Sequence, residues 1–172
     1  MKKAPSESRL LERLGRSKLS AEGFLGSDPR QLEEIVADDY RTCKEMGTTP
    51  PAIADALDRI FDAAESRFGV PVEISATVSA AHLDSKGSIA SPFPGEGTFD
   101  KGELIITNNT TNETFRVTRL SIHLIRAHGF FQGTGSKYRI DPEHIASTLG
   151  LIGSHSPKFG GAPRSGAGAA TS

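Results

Sequence analysis

The sequence predicts an α+β domain: an N-terminal helix pair, a small antiparallel sheet with a β-hairpin, then two C-terminal helices. Three observations carry this. Two helix-start signals with helical apolar periodicity fall between Asp28 and Gly69; alternating apolar runs follow as far as Thr118; two further helical stretches come last. The strand–helix–strand alternation of a parallel doubly wound sheet is absent. With 172 residues, one domain is expected, spanning residues 21–149.

The first 20 residues read as a basic, weakly ordered arm. They hold six Lys/Arg against two Glu, a balance of +4, with at most a short helix over Ser8 to Leu14. No apolar run of signal-peptide length follows the basic start, and no stretch approaches a membrane span, so a cytoplasmic protein is expected. The net charge of −1 gives the whole molecule no bias toward nucleic acid or membrane. The lone Cys43 excludes an internal disulfide and sits on an apolar helix face, as a core thiol would.

Asp28-Pro29 predicts a helix start, with Asp as N-cap and Pro at the first helical position, and Gly47 a stop. Thr48 and Thr49 before Pro50 and Pro51 predict a second start. Ile53, Leu57, Ile60, Phe61, Ala64 and Phe68 form its apolar stripe, and Gly69 ends it. Between Asp28 and Glu65 there are ten acidic and four basic residues, a net −6. Val70 to Ala80 alternates with period two and predicts one half-buried strand. DSKGSIASPFPGEGTFDKG (84–102) predicts a long Gly/Pro/Ser-rich loop, of the kind often tied to function. GELIITNNTTNETFRVT (102–118) reads as a hairpin, its Asn108, Asn109 and Asn112 as turn residues. A helix then covers Arg119–Phe131, and Asp141-Pro142 starts the last helix. From Gly150 onward the Gly/Ala/Ser-rich composition predicts a disordered tail.

The candidate chemistry lies in SIHLIRAHGFFQGTGSKYR (121–139). At 100° per residue Leu120, Leu124, Ala127 and Phe131 share the core face, while Arg119, His123, Arg126 and Phe130 share the opposite one. Lys137, Tyr138 and Arg139 follow a glycine-rich turn, and residues 114–140 hold five Lys/Arg and no acid. These seven residues form the candidate ligand-binding set, suited to a phosphate, a carboxylate or a protein partner, with nucleic acid as a sub-case. Phe130 and Phe93 are candidate pocket walls. The acidic helices at 28–65 offer the bland alternative, internal neutralisation. A non-catalytic binding module is therefore expected. The alternative is a small hydrolase or transferase on an anionic substrate, with His123 or His128 as general base. No cofactor is expected. His123 and His128 are five apart and point about 140° from each other on a helix, unlike an i, i+4 ligand pair, so no shared metal is expected either. GTGSK (133–137) lacks the spacing and context of a phosphate loop.

SKLSAEGFLGSDPRQLEEIVADD and RLSIHLIRAHGFFQGTGSKYRIDPE resemble a family of small bacterial cytoplasmic proteins without an assigned activity, over residues 17–149. That family carries a Cys-Pro-Phe element in the middle loop, where this chain reads Ser91-Pro92-Phe93-Pro94. The resemblance implies one compact bacterial domain. It also implies that any cysteine ligand partnering His128 in relatives is missing here.

Overall fold

The computed structural model describes Arg9 and residues 23–153. The basic arm and most of the tail therefore lie outside the described residues. The fold class is the expected α+β. Helices α1 (Leu32–Glu45) and α2 (Pro50–Glu65) precede strands β1 (Val72–Ser75), β2 (Val78–Leu83), β3 (Ser88–Ala90), β4 (Thr98–Asp100), β5 (Glu103–Asn108) and β6 (Thr114–Thr118). Helices α3 (Arg119–His128) and α4 (Pro142–Leu149) follow. The main sheet is antiparallel in the order β1-β2-β5-β6, and β3 and β4 form a separate two-stranded hairpin.

Alternation places Val78 and Ala80 of β2, Leu104 and Ile106 of β5, and Phe115 and Val117 of β6 on one buried face. Helix α2 lays Ile53, Leu57, Ile60, Phe61 and Ala64 across that face, and Ile122, Ile125, Phe131 and Ile145 complete the cluster. A second cluster joins Phe24, Leu32 and Ile35 to Leu120, Leu124 and Phe130, with Ile89, Phe93 and Phe99 at its edge. This second cluster seats the β3–β4 hairpin on α3.

Two of the three helix starts behave as the sequence predicts. Thr49 caps α2, accepting from the Ala52 N–H at 3.2 Å, and Asp141 caps α4, accepting from the Glu143 and His144 N–H groups. Asp28 does not cap α1. The N-cap is Gln31, closed by a capping box with Glu34. Asp28 instead accepts from Arg30 and from the Thr134 N–H at 3.0 Å, tying the N-terminal segment to the glycine-rich turn. Its side chain is 1% exposed. Arg30 first, then the Thr134 and Arg30 N–H groups, outweigh burial and hold its carboxyl well below the usual range. A depressed carboxyl stabilises the fold above its unfolded value, about 3.9, and the benefit fades as pH falls through the folded value. Asp28→Asn should therefore cost about 1–3 kcal/mol at neutral pH. In urea melts the gap to wild type should close as pH drops below about 4; a pH-independent gap would contradict this account.

Three further expectations are corrected. Val70–Ala80 is not one strand: Ala76 and Thr77 make a two-residue turn, and Val72 pairs with Ala80 across it. No Gly or Asn marks that turn, so the alternation ran on unbroken. The 84–102 loop contains the β3–β4 hairpin, with Ile89 opposite Phe99. The tail boundary lies beyond Gly150, because Leu151 packs on the core and the Gly153 N–H donates to Met46 O at 2.9 Å.

The glycine-rich turn has a backbone purpose. Gly133 N–H donates to Phe24 O at 2.8 Å and Ser27 N–H to Thr134 O at 3.0 Å. A Cβ on Gly133 would lie 2.2 Å from Leu25 O, so only glycine permits this approach.

Candidate metal centre

Strand β6 runs into α3 without a loop. Thr118 is the N-cap, closed by a reciprocal capping box with Ser121. The helix ends at His128 because Gly129 takes the left-handed conformation, φ 61°. The turn sends Phe130 into one core cluster and Phe131 into the other. Phe130 is fully buried, so the expectation that it lines a surface pocket is corrected. Leu124 is equally buried, whereas Arg126 lies at the surface, 40% exposed.

The arginine stripe meets acids at every position. Arg119 pairs with Asp58, Asp62 and Glu65, and Arg126 with Asp55 and Asp58. These partners place the start of α3 beside the end of α2, so the two helices run antiparallel. The acids recur every three or four residues along α2 and match arginines two turns apart on α3. Lys137 and Tyr138 both reach Glu103, which Arg116 also engages. Burial alone would raise the Glu103 carboxyl; these donors hold it below its ordinary value. Arg139 grips Asp39 with both ends of its guanidinium and donates to Gln132 O at 2.8 Å. Five of the seven predicted binding residues are thus divided among three ion-pair groups, Phe130 lies in the core, and only His123 remains at a site with open chemistry. Leu124→Ala should cost about 2–5 kcal/mol, against no more than about 1 kcal/mol for Arg126→Ala. Thermal melts check the contrast; a severe loss from Arg126→Ala would show that the exposed pairs carry far more than surface pairs do.

His123 and His128 converge. His123 Nε2 lies 2.7 Å from Glu96 Oε2, and His128 Nε2 lies 2.6 Å from Glu96 Oε1. The ring centroids are 6.1 Å apart. Helical phase fixes the direction in which each side chain leaves the backbone, not where its ring ends. Here each ring leans along the helix toward the hairpin, and one carboxylate offers an oxygen to each. Phe93 stacks on His128 at 3.7 Å and 12°, and Phe99 packs on His123 at 4.8 Å, so two hairpin aromatics set the ring orientations.

Glu96 sits between Gly95 and Gly97, both at positive φ, in the connection of the β3–β4 hairpin. Ser91 Oγ donates to Glu96 Oε2 at 2.7 Å and in turn accepts from the Phe93 N–H. Burial alone would raise the Glu96 carboxyl. Donation from Ser91, His123 and His128 overrides it and holds the group at about 2. An ionised carboxylate only accepts, so each imidazole donates to it through Nε2–H.

The ligating atoms of Glu96, His123 and His128 all lie within 4.8 Å of one another. A tetrahedral ion with bonds near 2.1 Å needs donor separations of about 3.4 Å, so a small opening of the Glu–His contacts would admit one. All three side chains are about one-quarter exposed, which leaves a solvent-facing position. Sequence reasoning missed Glu96, Ser91 and Phe99. Their signal was an acid inside Gly-Glu-Gly, flanked by Phe93 and Phe99 in the longest loop.

Cys43 is buried and free, and burial pushes its thiol up to about 11, as befits a core residue. No helix among the described residues is long and apolar enough to cross a membrane. No family model, curated protein or solved structure matches this chain.

Proposed function

We propose that the protein binds a divalent transition-metal ion, zinc in the first instance, through Glu96, His123 and His128, and engages a small ligand at the position left open. The carrying observation is the convergence of two imidazole Nε2 atoms on one carboxylate, all within 4.8 Å. Two imidazoles and a carboxylate are the donor set of open catalytic zinc sites and of non-haem iron sites. Ser91 supports the reading by fixing the carboxylate from behind, as outer partners of metal ligands do. The remaining coordination position suits a water, whose pKa zinc lowers to about 7, or a ligand head group. Hydrolysis of a small substrate is the chemistry such a site would serve. The arginine stripe lends no support to an anion-binding surface, because its guanidiniums already face carboxylates.

Tag-free protein titrated with Zn2+ should bind one equivalent, each imidazole carrying its N–H on Nδ1 so that Nε2 is free to bond the metal. Co2+ loading should give the visible absorption of a four- or five-coordinate nitrogen–oxygen site. An isothermal titration without heat, together with no zinc retained on the protein after gel filtration, would sink the proposal. A preference for Fe2+ over Zn2+ would keep the site and change its metal.

A further inference from the structure

Beside the metal centre lies an open cavity of about 800 Å3. Val36 and Tyr40 of α1, Pro50 of α2, Phe93 of the hairpin, and Ile125 and His128 of α3 form its walls. Its size falls in the range of small-molecule pockets, about 300–1,000 Å3. Gly129 also lines it, close to Val36 and Pro50, whose carbons lie 3.7–3.8 Å from where a Cβ would stand. His128 belongs to both features: its ring forms part of the cavity wall and its Nε2 faces Glu96.

We infer that this cavity holds the apolar body of the metal centre's ligand, a small acyl or aryl compound whose oxygen-bearing head reaches the metal past His128. The inference rests on the metal reading above. The lining selects this class over the alternatives. Aliphatic and aromatic walls offer few donors to a phosphate, a nucleotide or an extended peptide backbone. The cation in the lining, Arg126, is already engaged by Asp55 and Asp58, and the other charged lining residue, Glu33, would repel an anion. The stacked Phe93–His128 pair presents an apolar edge to the cavity and delivers a bound chain to within one imidazole of the metal. Tyr40, 55% exposed at the rim, gives an amphipathic border where such a ligand leaves water.

The test compares two hydroxamates, acetohydroxamic and octanohydroxamic acid, on zinc-loaded full-length protein by isothermal titration. They share a metal-binding head and differ in apolar length. The octanoyl probe is expected to bind at least about tenfold tighter, since each buried methylene can add up to about fourfold. Ala37→Arg places a long charged side chain in the cavity from an exposed helical position. It should erase that advantage while leaving zinc stoichiometry and acetohydroxamate affinity unchanged. Tyr40→Ala, also exposed, should reduce the advantage in part. Equal affinities for the two probes on zinc-loaded wild type would overturn the cavity inference and leave the metal reading standing. Absence of zinc uptake, with the octanoyl probe still bound, would overturn the metal reading and with it the joined site.

Discussion

His128→Ala and His123→Ala are each expected to lower zinc affinity by more than about 100-fold, with Glu96→Gln close behind. Removing an outer hydrogen-bond partner of a metal ligand typically costs 10–100-fold, and these substitutions remove the ligands themselves. Ser91→Ala should fall in that intermediate range, because it removes the hydrogen bond to Glu96 Oε2 without deleting a metal ligand. Competition titration against a chromophoric chelator measures all four. Stability separates a ligand role from a scaffold role. Zinc at about 100 times its Kd should stabilise the wild type by about 2.7 kcal/mol. The histidine variants should melt at a temperature that zinc does not move. The alternative is that Glu96 merely latches the hairpin onto α3 through hydrogen bonds. In that case the variants would melt lower than wild type without metal, and zinc would shift neither. That pattern would remove the metal centre.

Arg139→Ala is expected to be among the most destabilising single substitutions in the chain, at about 3–5 kcal/mol. Asp39 is 4% exposed and held by both ends of the Arg139 guanidinium. Burial pushes the Asp39 carboxyl above its ordinary value, and Arg139 only partly offsets that push. Without the arginine, the carboxylate must stay buried unpaired or take up a proton, and Gln132 O loses a donor. The double variant Asp39→Leu/Arg139→Met should recover most of the loss, because an apolar pair of similar volume removes the uncompensated charge. Urea melts of the two single variants and the double variant form a cycle whose coupling should exceed about 1 kcal/mol. Near-additive effects would mean the pair is solvated, and would return Arg139 to the pool of ligand-binding cations.

Much of this fold was legible in the chain. The apolar stripe of α2 from Ile53 to Ala64 and the Thr49 and Asp141 caps are local signals, and local physics writes them: side-chain phase and orphan N–H groups; Phe68, expected on the same stripe, lies past the helix end and is 94% exposed. The β5–β6 hairpin was legible for the same reason, with Asn108 accepting from the Thr110 and Thr111 N–H groups and Asn112 at φ 59°. Where local signals misled, a distant partner had intervened. Asp28 carries a good N-cap signal, yet Arg30 and the Thr134 backbone claim its oxygens first. The three-residue strands β3 and β4 are too short to show a period, and Ile89 and Phe99 pack them against the edge of the second core cluster.

The candidate site divides along the same line. The sequence by itself determined that His123 and His128 lie on one basic helix, with His128 in its last turn, and that the helix pair at 28–65 is acidic enough to neutralise it. Only tertiary structure decided that those acids consume the arginines and that a glutamate from the β3–β4 connection meets both imidazoles. Helical phase is set within a few residues, but an imidazole's reach and a carboxylate's two oxygens act across 27 and 32 residues of chain. That proximity exists only once Phe93 and Phe99 have docked the hairpin on α3.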